Sequence, residues 1–187
     1  MIPMHNLIHR AAATFAVFCA ILCSFAADAS ASFNATLEGQ SATAPNSHTP
    51  TGVYISTNLQ NWSELDTIPF RVNMTGGPVT NKTITVTFDH QKSLGSTINP
   101  GIQNLVGFTP SAGVTITSGP TLTVGIGDVW EYTFQVNMTT PTGEVTFTGN
   151  LSAGSHNFGG SSLNMSGTPS LGNLSIQKSS PAAGTPG

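Results

Sequence analysis

Apolar and polar residues alternate along most of the chain after residue 50. The longest alternation runs over 130–138, where five large apolar residues are separated by Glu, Thr, Gln and Asn. Successive side chains of a β-strand point to opposite faces, so this pattern places one face against a core and the other in water. Shorter stretches repeat it at 53–55, 70–74, 84–88, 114–117, 121–124, 145–148 and 174–177. The pattern predicts a chain of short, half-buried strands.

Turn-forming residues separate these stretches, for example at 76–78, 99–101, 119–120 and 141–143. After residue 31, no stretch has apolar residues at the spacing of a helix. Short strands that are separated by turns and buried on one face are typical of two packed sheets. We therefore predict an all-β fold, an immunoglobulin-like antiparallel β-sandwich over 51–178, with 130–138 as its central strand.

The first 31 residues have the pattern of a secretory signal peptide. Residues 1–10 form a short amino-terminal region with Arg10 as its cation, an apolar run covers 11–26, and small residues stand at Ala29 and Ala31. The run is shorter than the about 20 apolar residues that a membrane span needs. We expect cleavage after Ala31, an extracellular or cell-surface location, and no membrane span in the mature chain. An uncleaved membrane anchor is the alternative.

The segments that flank the predicted sandwich have a different composition. Residues 32–50 are rich in Ser, Thr, Ala and Pro, and we expect a flexible segment there with at most one strand, at about 33–37. Residues 179–187 are rich in Pro, Ala and Gly and contain no core-forming side chain. We expect a linker or tail at this end.

Composition narrows the classes of function. Only 7% of the residues are charged, against about 25% in an average soluble domain. The formal net charge is −3 and no basic patch occurs, so nucleic acid is not an expected partner. The two cysteines, Cys19 and Cys23, lie in the apolar run that we expect to be removed. The mature chain would then fold without disulfides.

One strand resembles a known family. Gly127 is followed by Asp128-Val-Trp-Glu-Tyr-Thr-Phe-Gln-Val, and this run is similar to a strand of bacterial immunoglobulin-like repeat domains from secreted and cell-surface proteins, some of them adhesins. Tyr132, Thr133 and Val136 match its Tyr, Thr and Val. The resemblance extends over about 66–178. It implies an immunoglobulin-like sandwich and a role in extracellular scaffolding or adhesion, and it brings no catalytic residues.

Few residues are candidates for catalysis or metal binding. Three histidines follow the apolar run, and they are His48, His90 and His156. No two of them have the spacing of a metal-binding pair. Asp66, Asp89 and Asp128 flank predicted strands, but no calcium-loop motif surrounds them. Glu64 and Asp66 are the only close pair of acids, and we interpret them as a polar strand edge. We expect no enzyme activity, no cofactor and no metal.

Two aromatic residues are candidates for contact with a glycan. Trp62 lies among polar residues and Tyr54 lies in a predicted strand nearby. The favoured function is a non-catalytic structural or adhesive module of a cell-surface or secreted protein. Its partners would be surface glycans or other surface proteins. The alternatives are a carbohydrate-binding module of a secreted enzyme, acting through Trp62 and Tyr54, and a subunit of a surface filament.

Eight Asn-x-Ser/Thr sequons occur in the chain. They would be glycosylation sites in a eukaryotic surface protein. Strand alternation is the competing explanation, because a polar-apolar-polar sequence readily produces Asn, an apolar residue and then Thr. The sequons are at Asn34, Asn61, Asn73, Asn81, Asn137, Asn150, Asn164 and Asn173.

Overall fold

The structure is a computed structural model, and it describes residues 32–125, 127–160 and 162–177. Strands dominate these residues, with one short 3-10 turn at Ser155–Asn157. The strands are β1 (Asn34–Ala42), β2 (Pro50–Ile55), β3 (Asn58–Leu59), β4 (Thr67–Thr75), β5 (Val79–Asp89), β6 (Gln91–Leu94), β7 (Thr97–Pro100), β8 (Ile102–Pro110), β9 (Val114–Val124), β10 (Val129–Met138), β11 (Thr142–Leu151), β12 (Ser162–Thr168) and β13 (Leu174–Gln177).

The strands form two main sheets and a separate hairpin. The first sheet has five strands in the order β2-β1-β4-β11-β8. The second sheet has six strands in the order β3-β13-β12-β5-β10-β9, and β6 pairs with β7. Neighbouring strands are antiparallel except for the short parallel pair of β13 and β3. The predicted all-β fold with antiparallel sheets is confirmed.

One hydrophobic core draws its side chains from both sheets. In β4, Phe70, Val72 and Met74 are buried, while the residues between them face outward. Phe70 stacks on Phe147 of β11 with 5.7 Å between ring centroids. Burying such a side chain stabilises the fold by roughly 1.5–3 kcal/mol. The alternation in the sequence is therefore the alternation between core and outer surface.

Strand β10 carries the longest alternation, but it is not the central strand of its sheet. It lies between β5 and the edge strand β9. Phe134, Val136 and Met138 are buried, whereas Trp130 and Tyr132 are only partly buried. The prediction of a central position was wrong, because alternation shows which face of a strand is buried and does not show how many strands lie on either side.

The segment at 32–50 contains a strand where one was expected, at about 33–37, but this strand, β1, extends to Ala42, so less of the segment is without regular structure than expected. This strand has nine residues and lies between β2 and β4. Its core positions are occupied by Leu37 and by the small residues Ala35 and Gly39, and the small residues made the segment resemble a linker. A Cβ atom at Gly39 would meet side-chain atoms of Leu59 and Phe70. The missing side chain lets β1 lie close to the opposite sheet, and the domain begins before residue 51.

The expected signal peptide at 1–31 lies outside the described residues, and so does the expected linker at 179–187. Both remain predictions. Within the part of the chain that the structure describes, no helix has the length and hydrophobicity to cross a membrane.

Candidate functional site

Trp62, a candidate for contact with a glycan, is buried. It lies between β3 and β4, with 1% of its surface exposed, in the hydrophobic core. Its indole Nε1 donates a hydrogen bond to the backbone oxygen of Gln40 at 2.7 Å. A glycan contact through Trp62 would need an exposed ring, and the polar neighbours of Trp62 in sequence do not decide where the loop turns its largest side chain. This ring cannot stack on a sugar in the folded protein.

Tyr54, the second candidate, lies on the outer face of the first sheet. The Cζ atom of Arg71 is 4.4 Å from the centroid of the Tyr54 ring. Arg71 also donates hydrogen bonds to Glu38 at 2.6 Å and to Glu144 at 2.8 Å. Burial lowers the pKa of Arg71, but the two carboxylates outweigh it and raise this pKa above its usual value. Tyr54 and Trp62 therefore do not form one aromatic surface.

The two neighbouring acids Glu64 and Asp66 bind different histidines. Asp66 is 8% exposed, and its Oδ1 lies 2.5 Å from Nδ1 of His48. Its Oδ2 accepts a hydrogen bond from the backbone N–H of Ser63 at 2.7 Å. Asp66 therefore links the loop before β4 to the segment before β2. These contacts stabilise the fold.

Glu64 makes the equivalent contact with His156. Its Oε1 accepts from the backbone N–H of His156 at 2.8 Å and lies 2.5 Å from Nδ1 of the same residue. Burial raises the pKa of Glu64, but backbone hydrogen bonds from His156 and Gly154, together with the hydrogen bond to the His156 side chain and its charge, outweigh burial and hold the pKa below its usual value. Glu64 is thus favoured as a carboxylate, and it fastens the 3-10 turn to the loop before β4.

A polar cleft of about 420 Å³ lies where β5 and β6 meet the beginning of β10. Asp89 Oδ2 accepts from the backbone N–H of Asn164 at 2.8 Å and from its side-chain amide at 3.2 Å. Asp128 accepts from the backbone N–H of Ser93 at 3.1 Å and from its hydroxyl at 2.9 Å. The lining also includes Lys92. The cleft presents carboxylates, an amide and an ammonium group side by side.

The cleft is the strongest candidate for a binding site, and the sequence did not predict it. Asp89 and Asp128 are far apart in sequence, but the pairing of β5 with β10 places Asp89 opposite Val129. Carboxylate and amide groups in one cleft can exchange hydrogen bonds with the hydroxyl groups of a sugar or polyol. Among the described residues, no three His, Cys, Asp or Glu side chains are grouped to hold a metal ion.

Comparison of the chain with protein-family models, with curated proteins and with solved structures found no match.

Proposed function

We propose that the protein is an exported, non-catalytic structural or adhesive module of a cell-surface or secreted protein. The proposal rests on the two-sheet fold, on a surface with few charges, and on the pattern of a signal peptide at the amino terminus. We further propose an immunoglobulin-like relationship, on the resemblance around Tyr132. The strand connections differ from the usual immunoglobulin order, which keeps strands D and E in one sheet and F and G in the other, because β3, β4, β5, β8 and β9 alternate between the two main sheets.

The use of the acidic side chains is the observation that most supports a structural role. Every acid in the described residues accepts a hydrogen bond from another part of the chain. Carboxylates with such partners hold segments of the chain together. A hydrogen bond to a charged group contributes about 1.5–3 kcal/mol to the stability of the fold where it is shielded from water. The acids are Glu38, Glu64, Asp66, Asp89, Asp128, Glu131 and Glu144.

Export and location test the proposal directly. Cells that express the full chain are labelled with a biotin reagent that does not cross membranes, then fractionated, and the amino terminus of the labelled protein is sequenced. We expect labelled protein that begins at Ser32. Protein found only in the cytosolic fraction, with Met1 retained, would overturn the proposed location.

The non-catalytic part of the proposal has its own test. The secreted protein is assayed against a broad panel of glycosidase and esterase substrates, together with variants Glu64→Ala and Asp66→Ala. We expect no turnover. Turnover that is present in the wild type and lost in either variant would contradict the proposal.

Carbohydrate binding is a second candidate function, and the cleft around Asp89 favours it. The test is a polysaccharide pull-down with wild type, Asn164→Ala and the control Tyr54→Ala. Binding that is lost only in the Asn164 variant would support the cleft. Binding that is lost only in the Tyr54 variant would move the site to the outer face of the first sheet. Absence of binding in the wild type would reject the function.

A further inference from the structure

Charged side chains are scarce in this chain, and the polar cleft gathers three of them. Its lining includes Asp89, Asp128 and Lys92. None of the ion pairs found among the described residues involves these three side chains. In a chain with only 7% charged residues, such a group of unpaired charges indicates that the cleft recognises a ligand.

The two carboxylates of the cleft can accept more hydrogen bonds than the protein provides. Both hydrogen bonds to the Asp89 side chain go from Asn164 to its Oδ2, so its Oδ1 has no donor within the part of the chain that the structure describes. The Asp128 side chain accepts only from Ser93 there. An ionised carboxylate can accept about four hydrogen bonds. Each carboxylate is therefore positioned by one neighbour and can still accept from a ligand.

Lys92 lines the same cleft, but its amino group is kept apart from the two carboxylates. Its Nζ lies 6.0 Å from the centroid of the Phe158 ring. Its alkyl chain passes over Gly159, where a Cβ atom would be 3.3 Å from the Lys92 Cδ. No carboxylate of the described residues comes within 4.0 Å of the ammonium group. The cleft thus holds two carboxylates against one ammonium group, and its lining has a negative balance.

The size and the walls of the cleft suit a small ligand. Its volume of about 420 Å³ falls within the about 300–1,000 Å³ that is usual for ligand pockets. Val129 and Phe158 provide apolar atoms in the lining, while Gln91, Ser162 and Asn164 provide amide and hydroxyl groups. Ligand sites usually combine apolar walls with a few polar groups of this kind.

We propose that the cleft binds a saccharide that carries free amino groups, with an ammonium group of the sugar bound by Asp89 and Asp128. The two acids are close together, because Asp89 pairs with Val129, the residue after Asp128. A primary ammonium group has three N–H donors and no acceptor, which matches carboxylates that only accept. Charge-assisted hydrogen bonds of this kind are roughly twice as strong as neutral ones. The inference rests on the carbohydrate binding proposed above as the second function, and it adds the chemistry of the ligand.

Two other classes of sugar fit the cleft less well. An N-acetylated amino sugar presents a neutral amide N–H in place of the ammonium group, so both carboxylates remain without a charged partner. An acidic sugar is attracted by Lys92 but repelled by Asp89 and Asp128, since like charges at close range oppose binding. Both classes therefore serve as comparison ligands.

Isothermal titration calorimetry on the purified secreted protein tests the preference for an amine. Glucosamine oligomers are compared with N-acetylglucosamine oligomers of the same length, in mildly acidic buffer where the sugar amines are protonated and the carboxylates ionised. We expect the glucosamine oligomers to bind at least about tenfold more tightly, because acetylation removes charge-assisted hydrogen bonds.

Variants in the cleft test which side chains are responsible. Asp89→Asn and Asp128→Asn remove one charge each and keep a side-chain oxygen that accepts from Asn164 or Ser93. We expect each variant to bind glucosamine oligomers about tenfold more weakly. Lys92→Gln should bind at least as tightly as wild type, because it removes a like charge from the cleft.

The matched control for the two Asp variants is Glu38→Gln. It also removes one negative charge, but Glu38 lies in β1 of the first sheet and contacts Arg71. This variant should bind glucosamine oligomers like wild type. The comparison separates recognition in the cleft from a general attraction between a cationic sugar and an acidic protein.

Nuclear magnetic resonance of the wild type locates the site without any substitution. Addition of glucosamine oligomers should shift the backbone amides at 89–93, 128–129, 158–160 and 162–164, and leave those of β1 and β2 unchanged. This measurement also decides the case if a variant fails to fold. Shifts confined to other parts of the molecule would overturn the proposed site.

Three further results would overturn the inference. They are N-acetylglucosamine oligomers that bind as tightly as glucosamine oligomers, a loss of binding in Glu38→Gln that equals the loss in the Asp variants, and oligogalacturonate that binds more tightly and depends on Lys92. Binding of neutral saccharides that depends on Asn164 would overturn only the amine preference and leave carbohydrate binding in place. Absence of binding to every saccharide would overturn both.

Discussion

Contacts of single side chains in this molecule often join residues that are distant in sequence. Trp62 illustrates this, since its indole ring fills the core while its N–H satisfies the carbonyl of Gln40. The sequence around Trp62 is polar, and a local pattern cannot show that a loop turns one large ring inward. In the same way, His156 and Glu64 are 92 positions apart, and no spacing rule connects them.

Replacement of Trp62 should separate its packing from its hydrogen bond. We expect Trp62→Ala to lower the free energy of unfolding by about 3–5 kcal/mol, since it empties a buried aromatic site. Trp62→Phe keeps most of the volume and leaves the carbonyl of Gln40 without its donor, so we expect a smaller loss of about 1–3 kcal/mol. Urea unfolding followed by circular dichroism measures both losses. Losses near zero for both variants would show that the ring is exposed in solution.

His90 should make stability depend on pH. Burial lowers its pKa below 6.5, although its hydrogen bond with the backbone oxygen of Ile102 raises the pKa in part. The unfolded chain therefore binds a proton more readily than the folded chain. This contribution to stability is complete above the unfolded pKa and is lost as the pH falls through about 6.5 towards the lower folded pKa.

The variant His90→Asn isolates this effect, because asparagine does not titrate. Urea midpoints are measured for both proteins from about pH 7.5 to about pH 5.5, which spans the usual titration of histidine. We expect the wild type to lose more stability than the variant over this range. Parallel curves for the two proteins would show that the pKa of His90 is not lowered.

Individual strands were predicted well where one face carries large apolar residues and the other carries polar residues. The alternation in β4, β5 and β10 gave the buried face of each strand correctly. The strand expected at about 33–37 covers only the first part of β1, because the later core positions hold Gly39 and Ala42 rather than large apolar residues. Small residues bury little apolar surface, and only the opposing side chains of Leu59 and Phe70 explain why they are needed.

Strand β10 provides a test of its two faces. Phe134 is 1% exposed, so Phe134→Ala should cost about 3–5 kcal/mol. Gln135 lies on the outer face, and Gln135→Ala should change stability by no more than about 0.5 kcal/mol. Trp130→Ala should cost less than Phe134→Ala, since Trp130 is only partly buried. Equal costs for Phe134 and Gln135 would mean that the strand is buried on both faces.

At the scale of the whole molecule, the sequence predicted the fold class but not the arrangement of the sheets. Strand order depends on contacts between residues that are distant in the chain, such as Phe108 with Phe147 at 4.8 Å. The polar cleft results from that order. The binding surfaces could therefore not be predicted, although most of the residues that form them were already identified as strand residues.

A core shared by both sheets predicts that the domain unfolds in one step. Trp62 is in the core beside β1, while Trp130 lies on the inner face of the second sheet near its other edge, stacked on His90. The variant Trp130→Phe therefore reports fluorescence from Trp62 alone, and Trp62→Phe reports it from Trp130 alone.

In each variant the fluorescence transition in urea should coincide with the loss of β-structure in circular dichroism, as a two-state transition requires. A Trp130 signal that changes at lower urea than the circular dichroism of the same variant would show that the sheet edge at β9 opens before the core. Coincidence in both variants would show that the two edges of the sandwich belong to one cooperative unit.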